Sequence, residues 1–312
     1  MSKRMIAVCF AGLVAALLAA PAARAAVPQD EAAEKVLAAA RGAAGGDAKL
    51  RAVQSLSVSG KTKRQARMNF GGGDQTVVRE SEWDADFLLP DKYVRKETSE
   101  AFGGNFITVT SGFNGDALIA VLESTAEMPM MPQGGGQQGD PAVRVRRLRQ
   151  DFARQWLAWL FEMPAAYGVA LRHAGTDAVG SSTADVIEAS GPDDFKAQLL
   201  IDQQSHRLLR VRYRTGAPQG MRMQFGGPGG GGPPPGGEGG VQMQRQAPPP
   251  GAGEPLREIE VELSYSDFRA VDGVTLPFKF TRSTNGQVNE ETELKKVKIN
   301  PSLKADKFKA RS

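Results

Sequence analysis

Two segments on either side of a long irregular stretch constrain this chain most. Residues 209–214 alternate apolar and basic side chains, and residues 258–263 alternate acidic and apolar ones. A strand presents alternate residues to opposite faces. Laying the two segments antiparallel therefore puts Arg214, Arg212 and Arg210 opposite Glu258, Glu260 and Glu262, while Tyr213, Val211 and Leu209 meet Ile259, Val261 and Leu263. One register satisfies both faces. The Gly/Pro-rich stretch between them becomes an excursion from a hairpin, not a domain boundary, and the sheet has one apolar and one charged face.

The same alternation recurs over residues 77–89. Val77, Ser81, Trp83, Ala85, Phe87 and Leu89 share one side, and Val78, Glu80, Glu82, Asp84 and Asp86 share the other, with Arg79 the one charge on the apolar side. Further strands are predicted over 56–64, 93–98, 106–113, 117–122, 169–173, 184–189, 195–201, 208–215, 258–267, 274–282 and 288–299. Asn114-Gly115 and Asn285-Gly286 are tight-hairpin signals. Asp30 caps a helix over 31–41 that Gly45-Gly46 ends, and Asp47 caps a short turn. The one long helix covers 143–161, with Val145, Leu148, Phe152, Trp156 and Trp159 on a single face. Many strands against one long helix give a mainly β (α+β) class in one domain.

The first 25 residues read as a secretory signal. Lys3 and Arg4 precede an apolar run over 5–20, and Ala23-Arg24-Ala25 fits a cleavage site after Ala25. Cleavage removes the only cysteine, Cys9, so the mature chain over 26–312 has neither a disulfide nor a thiolate ligand. It also removes three of the 39 basic residues and none of the 35 acidic ones, which lowers the formal charge from +4 to +1. That balance offers little to nucleic acid. Nothing after Ala26 is apolar for long enough to span a bilayer. The expected location is the periplasm. Low-complexity loops are predicted at 124–142 and 216–255, rich in Gly, Pro, Gln and Met.

Catalytic constellations are missing from the sequence. His173 and His206 lack metal-ligand spacing, and Asp202 with His206 reads as a polar turn rather than a dyad. There is no GxSxG, and the glycine runs lack a phosphate loop's lysine. Met128, Met130 and Met131 in the first loop and Met221, Met223 and Met243 in the second could be soft ligands for Cu(I). Adaptable apolar contacts are the plainer reading. No enzyme activity, metal or cofactor is expected.

The apolar face needs a cover, which the long helix supplies. Trp83, Phe87, Phe106, Trp156, Trp159, Phe161, Phe278 and Phe280 are more rings than one helix-sheet contact requires, which points to a cavity rather than a filled core. A family resemblance enters through Glu82-Trp83-Asp84-Ala85-Asp86-Phe87-Leu88-Leu89-Pro90-Asp91-Lys92-Tyr93, Gly112-Phe113-Asn114-Gly115-Asp116, Phe195-Lys196-Ala197-Gln198-Leu199-Leu200-Ile201-Asp202 and Asp272-Gly273-Val274-Thr275-Leu276-Pro277-Phe278. With these motifs in this order the chain resembles the LolA/LolB-like periplasmic lipoprotein carriers, specifically the divergent outer-membrane lipoprotein-sorting proteins. The resemblance implies a single antiparallel half-open β-barrel of about eleven strands with a helical lid, which carries a lipid or lipoprotein acyl chain between inner- and outer-membrane sorting partners as a monomer. Trp83, Phe87, Leu89, Phe106, Trp156, Trp159, Phe278 and Phe280 are the expected ligand-binding residues. Leu89 stands where the better-known carriers place an arginine before the proline. The rival expectation is an envelope interaction or scaffold protein that binds a partner through its Gly/Pro/Met-rich loops.

Overall fold

The computed structural model describes residues 30–69, 74–101, 104–125, 140–216 and 258–309. The expected signal segment, the six loop methionines and most of the two expected low-complexity loops lie outside them. Twelve strands form one antiparallel sheet: β1 (Ser55–Asn69), β2 (Asp74–Leu88), β3 (Lys92–Glu100), β4 (Phe106–Asn114), β5 (Ala117–Ser124), β6 (Ala170–Val179), β7 (Ser182–Gly191), β8 (Phe195–Asp202), β9 (Leu208–Gly216), β10 (Glu258–Val271), β11 (Val274–Thr284) and β12 (Gln287–Ile299). Three α-helices accompany them: α1 (Glu31–Ala43), α2 (Asp47–Arg51) and α3 (Pro141–Leu160).

The spatial order is β5-β4-β3-β2-β1-β12-β11-β10-β9-β8-β7-β6. It is two meanders joined where β1 pairs with β12, so the sheet's free edges are β5 and β6. The chain leaves one edge through α3 and re-enters at the other. Arg149 of α3 lies 5.7 Å from the Phe113 ring of β4, and Arg154, five residues on, lies 4.1 Å from the Tyr213 ring of β9. Those strands are seven spacings apart, about 34 Å in a flat sheet. The sheet is therefore curled into a half-open barrel, and α3 closes its mouth.

Local chemistry explains the elements. The Asp30 carboxylate caps α1 through Ala32 N and Ala33 N, and Asp140 caps α3 through Ala142 N with Pro141 in the first turn. The Asp140 cap starts α3 two residues before the sequence expectation. Asn285 and Gly286 both take positive φ, 49° and 78°, as a two-residue hairpin turn of this hand requires.

The pairing of β9 with β10 keeps the expected faces but not the expected register. Glu260 faces Arg214 and Glu262 faces Arg212, with Val261 on Tyr213 and Leu263 on Val211. The slip is two in the sum of paired residue numbers. An even slip preserves which side chains point inward, so hydrophobicity alone does not select between the two registers. The observed one lets Glu262 take both Arg212 and Arg210, at 2.8 and 2.9 Å.

Candidate functional site

The inward-facing residues of the central strands change character at one level. Along β1 they run Leu56, Val58, Gly60, Thr62, Arg64; along β2, Phe87, Ala85, Trp83, Ser81. Along β12 they run Ile299, Val297, Leu294, Thr292, Glu290. In β11, Phe280 and Arg282 stand against Thr292 and Glu290. Register alone aligns Thr62, Ser81 and Thr292, and then Arg64, Glu290 and Arg282. The concave face is apolar at one end and charged at the other.

At the apolar end α3 fills the trough. Phe152 packs within 5.7–6.2 Å of Phe87, Tyr93, Phe113, Trp156 and Tyr167, and Trp159 lies 5.7 Å from Phe87. Of the eight expected ligand-binding residues, Trp83, Phe87, Trp156, Trp159 and Phe278 are only 1–6% exposed. The protein's own side chains surround them, so here they form core rather than open wall, apart from the part of Trp156 that meets a small cleft. Trp83 marks the change of character. Its indole Nε1 donates to Thr62 Oγ1 at 2.9 Å, and the Arg95 guanidinium lies 4.3 Å from its ring. A side chain on Gly60 would strike that indole at 2.7 Å, so β1 needs a glycine there.

The other three expected residues separate. Leu89 and Trp156 line an apolar cleft of about 240 Å³ with Leu50, Val53 and Leu160, and Arg51 and Glu162 stand at its rim. Desolvation pushes the Glu162 carboxyl above the usual range despite Arg51 at 3.4 Å. Phe280 is half-buried, 5.8 Å from Tyr265. Phe106 is 48% exposed, and its odd separation from buried Phe113 along β4 puts it on the opposite face.

At the charged end, residues that sequence reasoning does not single out form a network. Arg64 pairs with Glu97 and, at 2.8 Å, with Glu290; Arg95 reaches Glu97 at 3.0 Å and Ser81 donates to it at 2.7 Å. Burial opposes both charged forms. The partners outweigh it, holding the Glu97 carboxyl below and the Arg64 guanidinium above their ordinary ranges. Asp151 of α3 ion-pairs with Arg154 at 3.0 Å. Desolvation pushes its carboxyl above the usual aspartate range although 64% of the side chain meets solvent.

A larger groove of about 820 Å³ lies elsewhere, along β6–β10. Arg172, Glu188, Gln198 and Arg212 of the sheet's polar face line it together with Leu171, Ala189, Ala197 and Tyr213 of the apolar face, and Arg172 and Arg212 already hold Glu188, Glu262 and Asp177. Volume alone does not make it the site. Asp202 accepts hydrogen bonds from Gln204 N, Ser205 N and Ser205 Oγ, which fixes the turn that carries His206. Among the described residues no group of three or more His, Cys, Asp or Glu side chains is placed to hold a metal, and no helix is long and apolar enough to cross a membrane.

No family model matches the chain, and no curated protein does. Solved structures do match. A LolA superfamily protein from Nitrosomonas europaea is 10% identical, with 89% of this chain and 97% of that one covered at a TM-score of 0.43. An outer membrane lipoprotein-sorting protein domain from Vibrio parahaemolyticus is 8% identical, with 88% and 97% covered at 0.42. A DUF1329 family protein from Desulfovibrio piger is 7% identical, with 89% and 97% covered at 0.42.

Proposed function

We propose that the protein is a non-enzymatic periplasmic carrier that holds the acyl chain of a lipid or lipoprotein against the concave face of its half-barrel. The observation that supports this is the polarity gradient, with aromatic and aliphatic rows at one end and arginines and glutamates at the other. An amphiphile has the same two-part character. The apolar cleft beside Leu89 and Trp156 receives chain. At about 240 Å³ it is smaller than the roughly 300–1,000 Å³ of common small-molecule sites, so it takes only part of one unless α3 moves outward. Inward-facing apolar surface also remains uncovered toward the β5 edge, where Val109 is 43% and Leu122 62% exposed and the two pair across strands. Each methylene removed from water contributes about 0.8 kcal/mol, so a chain of ordinary length offsets the cost of association.

The test is lipid mass spectrometry on full-length protein purified from its native envelope, followed by titration with a pyrene-labelled fatty acid. A co-purifying acyl species, or saturable uptake of the label, is expected. If neither is found, the carrier reading fails. Deleting residues 219–254 then separates it from the rival. A carrier keeps acyl binding, whereas a scaffold that works through its loops loses its partner and has no acyl binding to lose.

A further inference from the structure

The pairing of β8 with β9 breaks off early. It runs from Ile201 with Leu208 to Gln198 with Arg212 and stops, although β8 begins at Phe195 and β9 continues to Gly216. Their outer neighbours keep pace: β7 pairs with β8 as far as Phe195, and β10 with β9 as far as Gly216. Residues 195–197 and 213–215 thus lack a strand partner on the sides that face each other. A like break between β11 and β12, past Lys279 and Glu293, is closed by the chain itself, where Thr275 N donates to the Ala44 carbonyl at 2.8 Å. No backbone from outside the sheet bonds residues 196–197 or 213–215 among the described residues. Only a side chain reaches the β8–β9 break from within. The Arg154 guanidinium lies 5.4 Å from the Phe195 ring and 4.1 Å from the Tyr213 ring, and its Nε donates to the Lys196 carbonyl at 3.5 Å. The groove of about 820 Å³ spans the same break, lined by Lys196 and Ala197 of β8 and by Tyr213 and Arg214 of β9. Two of its cations, Lys196 and Arg214, make no side-chain hydrogen bond or ion pair among the described residues, Arg214 despite standing opposite Glu260. Its other acids are engaged: Asp30 caps α1 and accepts from His173 N, and Glu188 is held by Arg172 and Gln198.

We propose that the break between β8 and β9 is a docking edge for an extended segment of a partner protein in which acidic and apolar residues alternate. Unpaired strand backbone is a template for another strand, and main-chain bonds to it supply affinity without regard to side chains. Specificity comes from the period of two. It sends the segment's acidic side chains to the face that carries Lys196 and Arg214, and its apolar ones toward Tyr213, Ala197 and Ala189. The small alanines leave room for them. The protein holds a precedent on the other side of β9, where β10 alternates acidic and apolar residues over 258–263 and Glu262 takes both Arg210 and Arg212. Residues 217–257, which follow β9, carry three arginines and two glutamates and so do not complement a cationic rim. The inference concerns the wall of the half-barrel, not its trough, and does not rest on the carrier reading.

The experiment titrates the full chain with a fluorescein-labelled synthetic heptapeptide of alternating valine and glutamate, with a lysine-for-glutamate counterpart as control, and follows anisotropy. The acidic peptide is expected to bind at least about tenfold tighter than the basic one, and Lys196→Gln combined with Arg214→Gln to weaken it by about tenfold. Both side chains are exposed, so the double variant should keep the parent's melting temperature. Amide hydrogen exchange on the parent, which needs no variant, separates an added strand from adsorption by charge. Bound peptide should slow exchange across residues 195–197 and 213–215 and leave the rest of the sheet unchanged. Equal affinity for the two peptides, or unchanged affinity in the double variant, overturns the proposal. So does binding without that protection. Binding that appears only after residues 219–254 are deleted would give the edge to the chain's own loop and overturn it as well.

Discussion

The two ends of the concave face are built from the same strands and do opposite things with burial. At the apolar end Phe87, Phe113, Phe152 and Trp159 interlock and leave only the small cleft beside Leu89 and Trp156. At the charged end Arg64 and Glu97 satisfy each other and Arg95 shares Glu97, while the Nε atoms of Arg282 and Arg95 are buried without a hydrogen-bond partner. One end holds the sheet in its curl, and the other stays incomplete. Stability and recognition are thus divided along the strand axis, not between separate domains. This division is what lets a folded protein keep unsatisfied polar groups at all.

Substitutions at the two ends should differ in size and in pH dependence. Trp159→Ala removes a fully buried ring packed on Phe87 and is expected to destabilise by about 3–5 kcal/mol in urea unfolding. A loss below about 1 kcal/mol would mean that α3 is a loose lid and not the sheet's second wall. Arg64→Gln removes the shared partner of Glu97 and Glu290. Because Arg64 is 43% exposed, solvent screening limits the expected loss to about 1–2 kcal/mol. Acid separates the ends further. The Glu97 carboxyl is depressed in the folded state, so its contribution is complete above the ordinary glutamate value of about 4.3 and disappears as pH falls through the lower folded value. The parent should lose stability on acidification below about pH 5 more steeply than Arg64→Gln, while Trp159→Ala keeps the parent slope. Equal slopes for parent and Arg64→Gln would remove the network from the account.

The apolar end was legible in the sequence, and the charged end was not. Alternation along residues 77–89 already puts Trp83, Ala85 and Phe87 on one side, and the α3 periodicity places Phe152, Trp156 and Trp159 to meet them. Their burial needs only local pattern. The charged end depends on β1 lying against β12, which brings Thr62 within 2.9 Å of Thr292 across 230 residues of sequence. The faint signal was a polar step every second residue on an otherwise apolar face, as with Thr62 and Arg64, or Thr292 and Glu290. Arg79 shows the same step in β2. Read singly, each is a solvated strand end; only the register makes them one row. The two-residue slip of β9 against β10 has the same origin, since period two fixes faces and leaves even shifts open.

Two smaller effects bear on where a chain enters. Leu89 is half-buried at the cleft it shares with Trp156. Leu89→Arg should lower affinity for a pyrene-labelled fatty acid by at least about tenfold, because a guanidinium in the cleft must be desolvated before chain can pack there. Its melting temperature should change little, since the longer side chain can turn its head to water. Unchanged affinity would place chain entry elsewhere, toward the uncovered Val109 and Leu122.

Phe106 gives the sharpest control on the whole comparison, because sequence reasoning grouped it with the ligand wall and the strand's parity puts it outside. It is 48% exposed and tied down only through its backbone, which exchanges hydrogen bonds with Thr125 at 2.8 and 3.0 Å. Phe106→Ser keeps both of those bonds. Stability should stay within about 0.5 kcal/mol and acyl affinity should not change, as for an exposed side chain away from core and site. A drop in affinity matching that of Leu89→Arg would mean that the edge of the sheet rolls over when a chain binds. The face now turned to water would then belong to the trough, and the boundary between closed and open ends would depend on the ligand.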